Sequence, residues 1–250
     1  MGVALMGIVD QVLVWAGRTR DIVALRTGAF GDLMDVSVDG YGSRFHIDTY
    51  RELWRVRDLV GEREGISHVL SELDEGSTFW DVGANIGTHS CICASKASEV
   101  VAFEPNPETR TRLEENAKLA AGSIQTRAEA LSNESGEGRL SSTDDYAEGT
   151  HEITESGGTR VATARGDDLF GDIPSPDVIK IDVEGHELAA LEGMQDVLTK
   201  SSHVLVEVHR GVDLEDVQAL VSESGLETHL WSKRDGEQFV VGEKLEINAD

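Results

Sequence analysis

Apolar positions along this 250-residue chain change their spacing near residue 78. Upstream, the longest apolar stretch runs from Val3 to Ala16, interrupted by Asp10 and Gln11, and predicts an amphipathic helix packed on the domain. It is too short to span a bilayer, and it lacks both the basic leading region of a signal peptide and a basic face for a membrane surface. Met34–Asp48 alternates (Val36, Val38, Phe45, Ile47) around Asp39-Gly40-Tyr41-Gly42, the pattern of a β-hairpin. Residues 49–74 predict two helices with Gly61 and Gly65 between them.

From Thr78 onward, short apolar runs alternate with helical periods, the signature of a parallel α/β sheet. Thr78–Val82 predicts the first strand, followed by a glycine turn and a helix through Ala97. Val100–Glu104 is the second strand, and Asn106-Pro107 then opens a helix as N-cap and first residue, with Leu113, Ala117 and Ala120 on one face. Ile124–Leu131 predicts a third strand, and the Ser-, Gly- and Glu-rich residues 132–160 an exposed excursion with a short hairpin. Asp177–Val183 is the fourth strand, with Leu188, Leu191, Met194 and Val197 giving the following helix its apolar face. His203–Val208 is the fifth, before a helix marked by Leu214, Val217, Leu220 and Val221 and stopped by Gly225. Strands near Thr228–Trp231 and Gln238–Val241 close the chain. The expected organisation is a helix-and-hairpin lead-in over 1–77 and an α/β domain over 78–250.

Charge narrows the partners. Asp and Glu number 47 against 22 Lys and Arg, a formal net charge of -25. Such a polyanion repels nucleic-acid phosphates and anionic lipid, so neither is the expected partner. The acidity is dispersed and only six basic residues are Lys, as suits a high-salt cytoplasm where counterions screen self-repulsion. Cys91 and Cys93, two apart in a predicted helix, point to nearly opposite faces and can neither bridge nor chelate one metal together. A reducing, cytoplasmic compartment follows as the expectation. His46, His68, His89, His151, His203 and His229 lack metal-ligand spacing and read as scaffold or surface.

Two segments carry candidate chemistry. Asp81-Val82-Gly83-Ala84-Asn85-Ile86-Gly87 leads from strand to helix, where glycines let backbone approach a ligand. Glu104 ends the next strand, placed to accept both hydroxyls of a nucleoside ribose. A dinucleotide fingerprint needs G-x-G-x-x-G, whereas here Asn85 stands where its second glycine would be. The second segment is Ile179-Lys180-Ile181-Asp182-Val183-Glu184-Gly185-His186-Glu187. Period-2 alternation puts Lys180, Asp182 and Glu184 on one strand face, with Glu207 and His209 sharing a face on the fifth strand. Charges on central strands are costly unless paired or facing a cleft, and ligands bind at the carboxyl ends of such strands.

Together these segments resemble the FkbM-type methyltransferase family. The matching text is DVGANIGTHS, VVAFEPNPETRTRLEENA, ALSN after the third strand, and above all VIKIDVEGHELAALEGM, within a resemblance covering about residues 34–210. It implies a Rossmann-like class I methyltransferase fold: a central, mostly parallel seven-stranded sheet with helices on both faces, plus the N-terminal helix and hairpin. It also implies S-adenosylmethionine as cofactor, contacted by Asp81, Gly83, Asn85, Gly87, Glu104, Asn106 and Ala130. The implied reaction is methyl transfer to an oxygen of a sugar, glycan or natural product. The family's Leu-Asp-Asp-like element reads Arg165-Gly166-Asp167-Asp168-Leu169 here, so acceptor specificity does not carry over.

An alcohol is a poor nucleophile at neutral pH, so a base or metal should take its proton. Asp182 is the first candidate base and His209 the second, with Lys180 orienting Asp182 or Glu184. Asp182 and Glu207 on adjacent strands, in the expected 3-2-1-4-5 order, also resemble the layout of Mg²⁺-dependent catechol-type O-methyltransferases. The Lys180 charge disfavours such a cation. The rival readings are a nicotinamide-dependent dehydrogenase, disfavoured by the glycine spacing, and a non-catalytic nucleoside-binding module.

Overall fold

The computed structural model describes residue 21 and residues 31–59, 61–141, 158–232 and 238–245. The helix expected over Val3–Ala16 lies outside them, as does the middle of the 132–160 excursion. Strands β1 (Leu33–Val38) and β2 (Tyr41–His46) form the expected antiparallel hairpin. Its turn is only Asp39-Gly40, both at positive φ (51° and 88°), so Tyr41 and Gly42 belong to the second strand. Helix α1 (Tyr50–Asp58) starts at a capping box, in which the Thr49 hydroxyl accepts from the Glu52 amide and the Glu52 carboxylate accepts from the Thr49 amide. Helix α2 (Arg63–Glu72) includes Gly65, which was expected between helices. A side chain there would press on His89, so a glycine lets the helix approach closely.

The central sheet holds seven strands in the order β11-β12-β10-β9-β3-β4-β5. These are β3 (Thr78–Val82), β4 (Glu99–Phe103), β5 (Ile124–Arg127), β9 (Val178–Ile181), β10 (His203–Val208), β11 (Glu227–Ser232) and β12 (Gln238–Glu243). β12 runs antiparallel to both its neighbours, and the other pairings are parallel. Read from β5 to β10, the first five strands keep the expected order. Val178, Ile179, Lys180 and Ile181 are all buried, as in a strand covered on both faces.

Those faces differ in what covers them. One cluster joins Phe79, Val100 and Val178 to Phe45, Leu53, Val56 and Ile66 of the lead-in, with Ile92 of α3 (Thr88–Cys93). On the other face, Trp80, Val101 and Ile179 pack with Leu191, Val197 and Val217. The last three belong to α5 (Glu187–Glu192), α6 (Gln195–Lys200) and α7 (Leu214–Glu223). Helix α4 (Pro107–Ala117) begins at Asn106, whose side chain accepts from the Glu108 and Thr109 amides. Its buried Asn116 accepts from the His46 amide and donates to the Ile86 carbonyl, tying hairpin, helix and glycine turn together.

Further sequence expectations change. The third strand is two pieces: β5 stays in the main sheet, while β6 (Ala130–Leu131) joins a small sheet ordered β6-β8-β7 with β8 (Thr159–Ala164) and β7 (Gly136–Leu140). The helix after the fourth strand is also divided, between α5 and α6, at Gly193. A Cβ at Gly193 would stand 1.9 Å from the Ser132 carbonyl oxygen, so this junction lets the small sheet's edge reach the core. Asp167 and Asp168 sit on a single 3₁₀ turn (Gly166–Leu169) and are structural: Asp167 accepts from the Val197 amide and Asp168 from the Ser135 hydroxyl.

Candidate active site

A cleft of about 690 Å³, open to solvent, lies across the carboxyl ends of β3, β4 and β9. Its floor depends on Gly83, at φ 84°, where a Cβ would fall 1.8 Å from the Asp182 carbonyl oxygen. Only glycine lets the first-strand loop lie against the end of β9. Asn85 follows at φ 52°, and its amide donates to Glu104 Oε2 at 2.9 Å. The Asn106 amide donates to Glu104 Oε1 at 2.8 Å, so both carboxylate oxygens are oriented by backbone. Burial drives the Glu104 pKa up to about 7 despite those two donors and the nearby Arg110 charge.

Of the residues expected to touch a cofactor, Gly83, Asn85, Glu104 and Ala130 line this cleft. Asp81, Gly87 and Asn106 do not. Asp81 is fully buried, accepting from the Ser90 hydroxyl at 2.5 Å with Lys180 Nζ 3.6 Å away. Gly87 is the N-cap of α3, packed under Leu113, and Asn106 acts through Glu104.

Asp182 and Glu184 form the opposite wall. β9 ends at Ile181, so strand alternation reaches Lys180 but not Glu184, which is delivered by a turn at φ 50°. Lys180 Nζ donates to Asp182 Oδ2 at 3.0 Å. His209, just past β10, holds Nε2 3.1 Å from Glu184 Oε2 and 3.5 Å from Asp182 Oδ1. Its Nδ1 lies 2.6 Å from Glu187 Oε1. Of the candidate catalytic residues, Asp182 and Glu184 line the cleft, while Lys180 and His209 stand behind them and contact their carboxylates. Glu207 joins Asp182 and His209 as the set, among the described residues, whose ligand atoms lie within 4.8 Å of one another.

Electrostatics assigns charges there. Burial alone would lower His209, but the Glu187 hydrogen bond and the Asp182 and Glu184 charges outweigh it and lift its pKa to about 9. His209 is thus an imidazolium at neutral pH and cannot accept a proton in this state. Burial would raise Asp182, yet Lys180 and His209 hold it below its ordinary value. Burial lifts Glu184 to about 7, beside the operating range of a general base. Lys180, though buried, stays charged because Asp182 and Asp81 flank it.

Three contributors escaped sequence reasoning. Glu187 is fully buried and orients His209. It stands inside the KIDVEGHE run, where only the position of His209 could reveal its role. Arg55 of α1 lines the cleft and donates from Nη1 to Glu62 Oε1 at 2.6 Å. Glu62 in turn contacts the Thr88 hydroxyl at the start of α3. No local signal marks Arg55 or Glu62, which precede the first parallel strand.

Residues 81–227 match the family described as Methyltransferase FkbM domain. Over 241 residues, 96% of this chain and 99% of the relative, the sequence is 44% identical to the hexuronic acid methyltransferase AglP of Haloferax volcanii. Among solved structures, methyltransferase FkbM from Methylobacillus flagellatus matches with a TM-score of 0.53 at 19% identity, over 91% of this chain and 60% of that one. The precorrin-6y C5,15-methyltransferase of Geobacter metallireducens matches with a TM-score of 0.51 at 13% identity, over 73% and 89%. At such identities these two structures speak for the fold alone.

Proposed function

The chain belongs to the FkbM methyltransferase family, and from that premise we propose that it methylates an oxygen of a hexuronic-acid-type sugar, using S-adenosylmethionine. One observation carries this reading. A single cleft has a nucleoside-type wall, Glu104 with the positive-φ loop, facing a charged wall of Asp182 and Glu184. The residues present fit the cofactor: Glu104 presents a backbone-oriented carboxylate for two ribose hydroxyls, and Val82, Phe103 and Leu131 offer apolar surface for a base. When bound, S-adenosylmethionine supplies an electrophilic methyl group on a sulfonium. The chain's contribution is alignment, exclusion of water and management of the acceptor's proton.

Asp182 is placed to take that proton, with Lys180 fixing its carboxylate and the His209 imidazolium beside it balancing charge. Glu184, with its pKa near 7, is the second base in reach. The reading is metal-free, because the Lys180 ammonium repels a divalent cation from Asp182. It also excludes nucleic acid as acceptor, since the net charge of -25 opposes phosphate. Among the described residues no helix is long and apolar enough to cross a membrane. The unpaired, buried Cys91 and Cys93 suit a reducing cytoplasm, and a high-salt one fits a relative from Haloferax volcanii.

The test is turnover of S-adenosylmethionine with sugar-acid glycans by wild type and Asp182→Asn, each with EDTA and with added Mg²⁺. A hydroxyl acceptor should make the mutant about 10²–10⁴-fold slower in kcat, with cofactor affinity unchanged. A mutant with full activity would remove Asp182 as base and leave an acceptor oxygen already ionised, such as a sugar carboxylate. Loss of wild-type activity in EDTA, restored by Mg²⁺, would overturn the metal-free reading. Tight binding of S-adenosylhomocysteine without turnover of any sugar would favour the non-catalytic module.

A further inference from the structure

The cations around the cleft are unequally engaged. Lys180 lies between Asp81 and Asp182, and His209 is surrounded by Glu187, Glu184 and Asp182. Arg110 donates to the Glu104 and Pro105 carbonyls, and Arg127 pairs with Glu129. Arg55 differs. It lines the cleft, its side chain keeps 25% of its surface exposed, and among the described residues its guanidinium makes one hydrogen bond, from Nη1 to Glu62. Glu62, itself 16% exposed and held by Thr88, sets the guanidinium's direction and leaves its other donors open. Arg55 lines the same cleft as Asp182 and Glu184, and its charge favours the ionised form of both.

The cleft otherwise presents acids to a ligand: Glu104, Asp182 and Glu184 all line it. A ligand carboxylate entering there meets like charge and is rejected unless a cation receives it. Both ligands of the proposed reaction bring a carboxylate, one on the methionyl arm of the cofactor and one on the sugar acid. We propose that Arg55 is the carboxylate receptor of this cleft, gripping that group with the open edge of its guanidinium. The proposal rests on the reading of the cleft as an S-adenosyl site.

Calorimetry on the full chain decides it, using wild type, Arg55→Gln, Arg55→Lys and Glu62→Gln. The probes are S-adenosylhomocysteine and 5′-methylthioadenosine, which keeps the nucleoside and lacks the carboxylate. If the methionyl arm is the source, Arg55→Gln should weaken S-adenosylhomocysteine at least tenfold and leave methylthioadenosine unchanged, with Arg55→Lys between. If the acceptor is the source, both affinities stay, and KM should rise at least tenfold for a glucuronate-terminated glycan but not for its glucose counterpart. Equal weakening of both nucleosides, or no change in either probe and no change in the glucuronate-to-glucose ratio, overturns the proposal. Should Arg55→Gln fail to fold, Arg55→Lys carries the same comparison, because it keeps the charge and loses the fork. Glu62→Gln, which frees the guanidinium's direction and keeps its charge, should weaken the same carboxylate-bearing ligand by less than Arg55→Gln does, and an equal loss for the counterpart lacking the carboxylate would also overturn the proposal. Wild type binding neither nucleoside would instead sink the underlying S-adenosyl reading, a result distinct from all of these.

Discussion

One strand, β10, carries a histidine at each end, and the two are held in opposite states. His203 opens the strand, 3% exposed, with Nε2 2.9 Å from His68 Nε2 and the His68 ring stacked on Trp231. Burial and the neighbouring His68 push its pKa down to about 4, against a weaker pull from Glu72. His209 follows the strand's other end and is lifted to about 9 by Glu187, Asp182 and Glu184. Burial opposes charge at both ends, so burial does not make the difference. Carboxylate neighbours do, and they gather where strand ends open into the cleft. His203 is scaffold, as its sequence context suggested, while His209 belongs to the charged machinery.

The strongest way to probe the active end is through Glu104, a carboxylate lifted by burial as His209 is lifted by charge. Glu104→Ala should lose two charge-assisted hydrogen bonds to the ribose, about 1.5–3 kcal/mol each, so S-adenosylhomocysteine affinity should fall at least tenfold by calorimetry. Ribose hydroxyls favour the ionised carboxylate, so wild-type affinity should rise with pH toward about 7 and level off above it. The mutant should show no such pH dependence. An affinity indifferent to the mutation would remove Glu104 as the ribose anchor.

Glu187→Gln breaks the comparison at its source. Removing the carboxylate on Nδ1 should bring the His209 midpoint down from about 9, read from its ring C–H resonances in an NMR titration, while His203 stays put. A His209 midpoint that stays near 9 would assign the effect to Asp182 and Glu184 alone.

The two histidines should also contribute to stability in opposite pH windows. His203 has a depressed folded pKa, so the unfolded chain binds the extra proton, and its contribution should fall as pH drops from about 6.5 to about 4. Glu104 and Glu184, lifted to about 7, act in the opposite sense over that range, so the effect is read as the difference between wild type and variant. His209 has a raised folded pKa, so its contribution is complete below about 6.5 and lost as pH rises through about 9. Discounted for partial exposure, each should be worth on the order of 2 kcal/mol in urea unfolding. The wild-type-minus-variant difference should appear on the acid side for His203→Asn and on the alkaline side for Glu187→Gln. Exchanged sides would reverse the assignment.

The smallest effect expected belongs to the surface shared by both ends. With a net charge of -25, raising KCl from about 0.1 to 1 M shortens the Debye length from about 10 to 3 Å. Tm should climb by several degrees, as relief of self-repulsion worth about 1 kcal/mol would give. A flat or falling curve would detach the acidity from a high-salt setting.

Much of this was legible in the chain because it depends on neighbours in sequence. Alternation and helical periods place the strands of the central sheet, and Asn106-Pro107 predicts the start of α4. The runs DVGANIG and KIDVEGHE point to the residues of both cleft walls, since strand ends in an open parallel sheet converge on one edge. Where the reading slipped, a longer-range contact intervened. The third strand divides because Ala130–Leu131 pairs with β8, and the later helix divides because the Ser132 carbonyl packs on Gly193.

By itself, the sequence determined the family, the parallel α/β plan and the set of carboxylates and cations available for chemistry. Only the tertiary structure decided which charges meet. It withdrew Asp81 into a buried pair with Lys180, brought Arg55 and Glu62 from the lead-in to the cleft, and set Glu187 behind His209. The reason is physical. A backbone pattern is governed by local dihedrals and near neighbours, whereas a protonation state depends on burial and on charges within a few ångströms, which the chain collects from distant segments only when it folds.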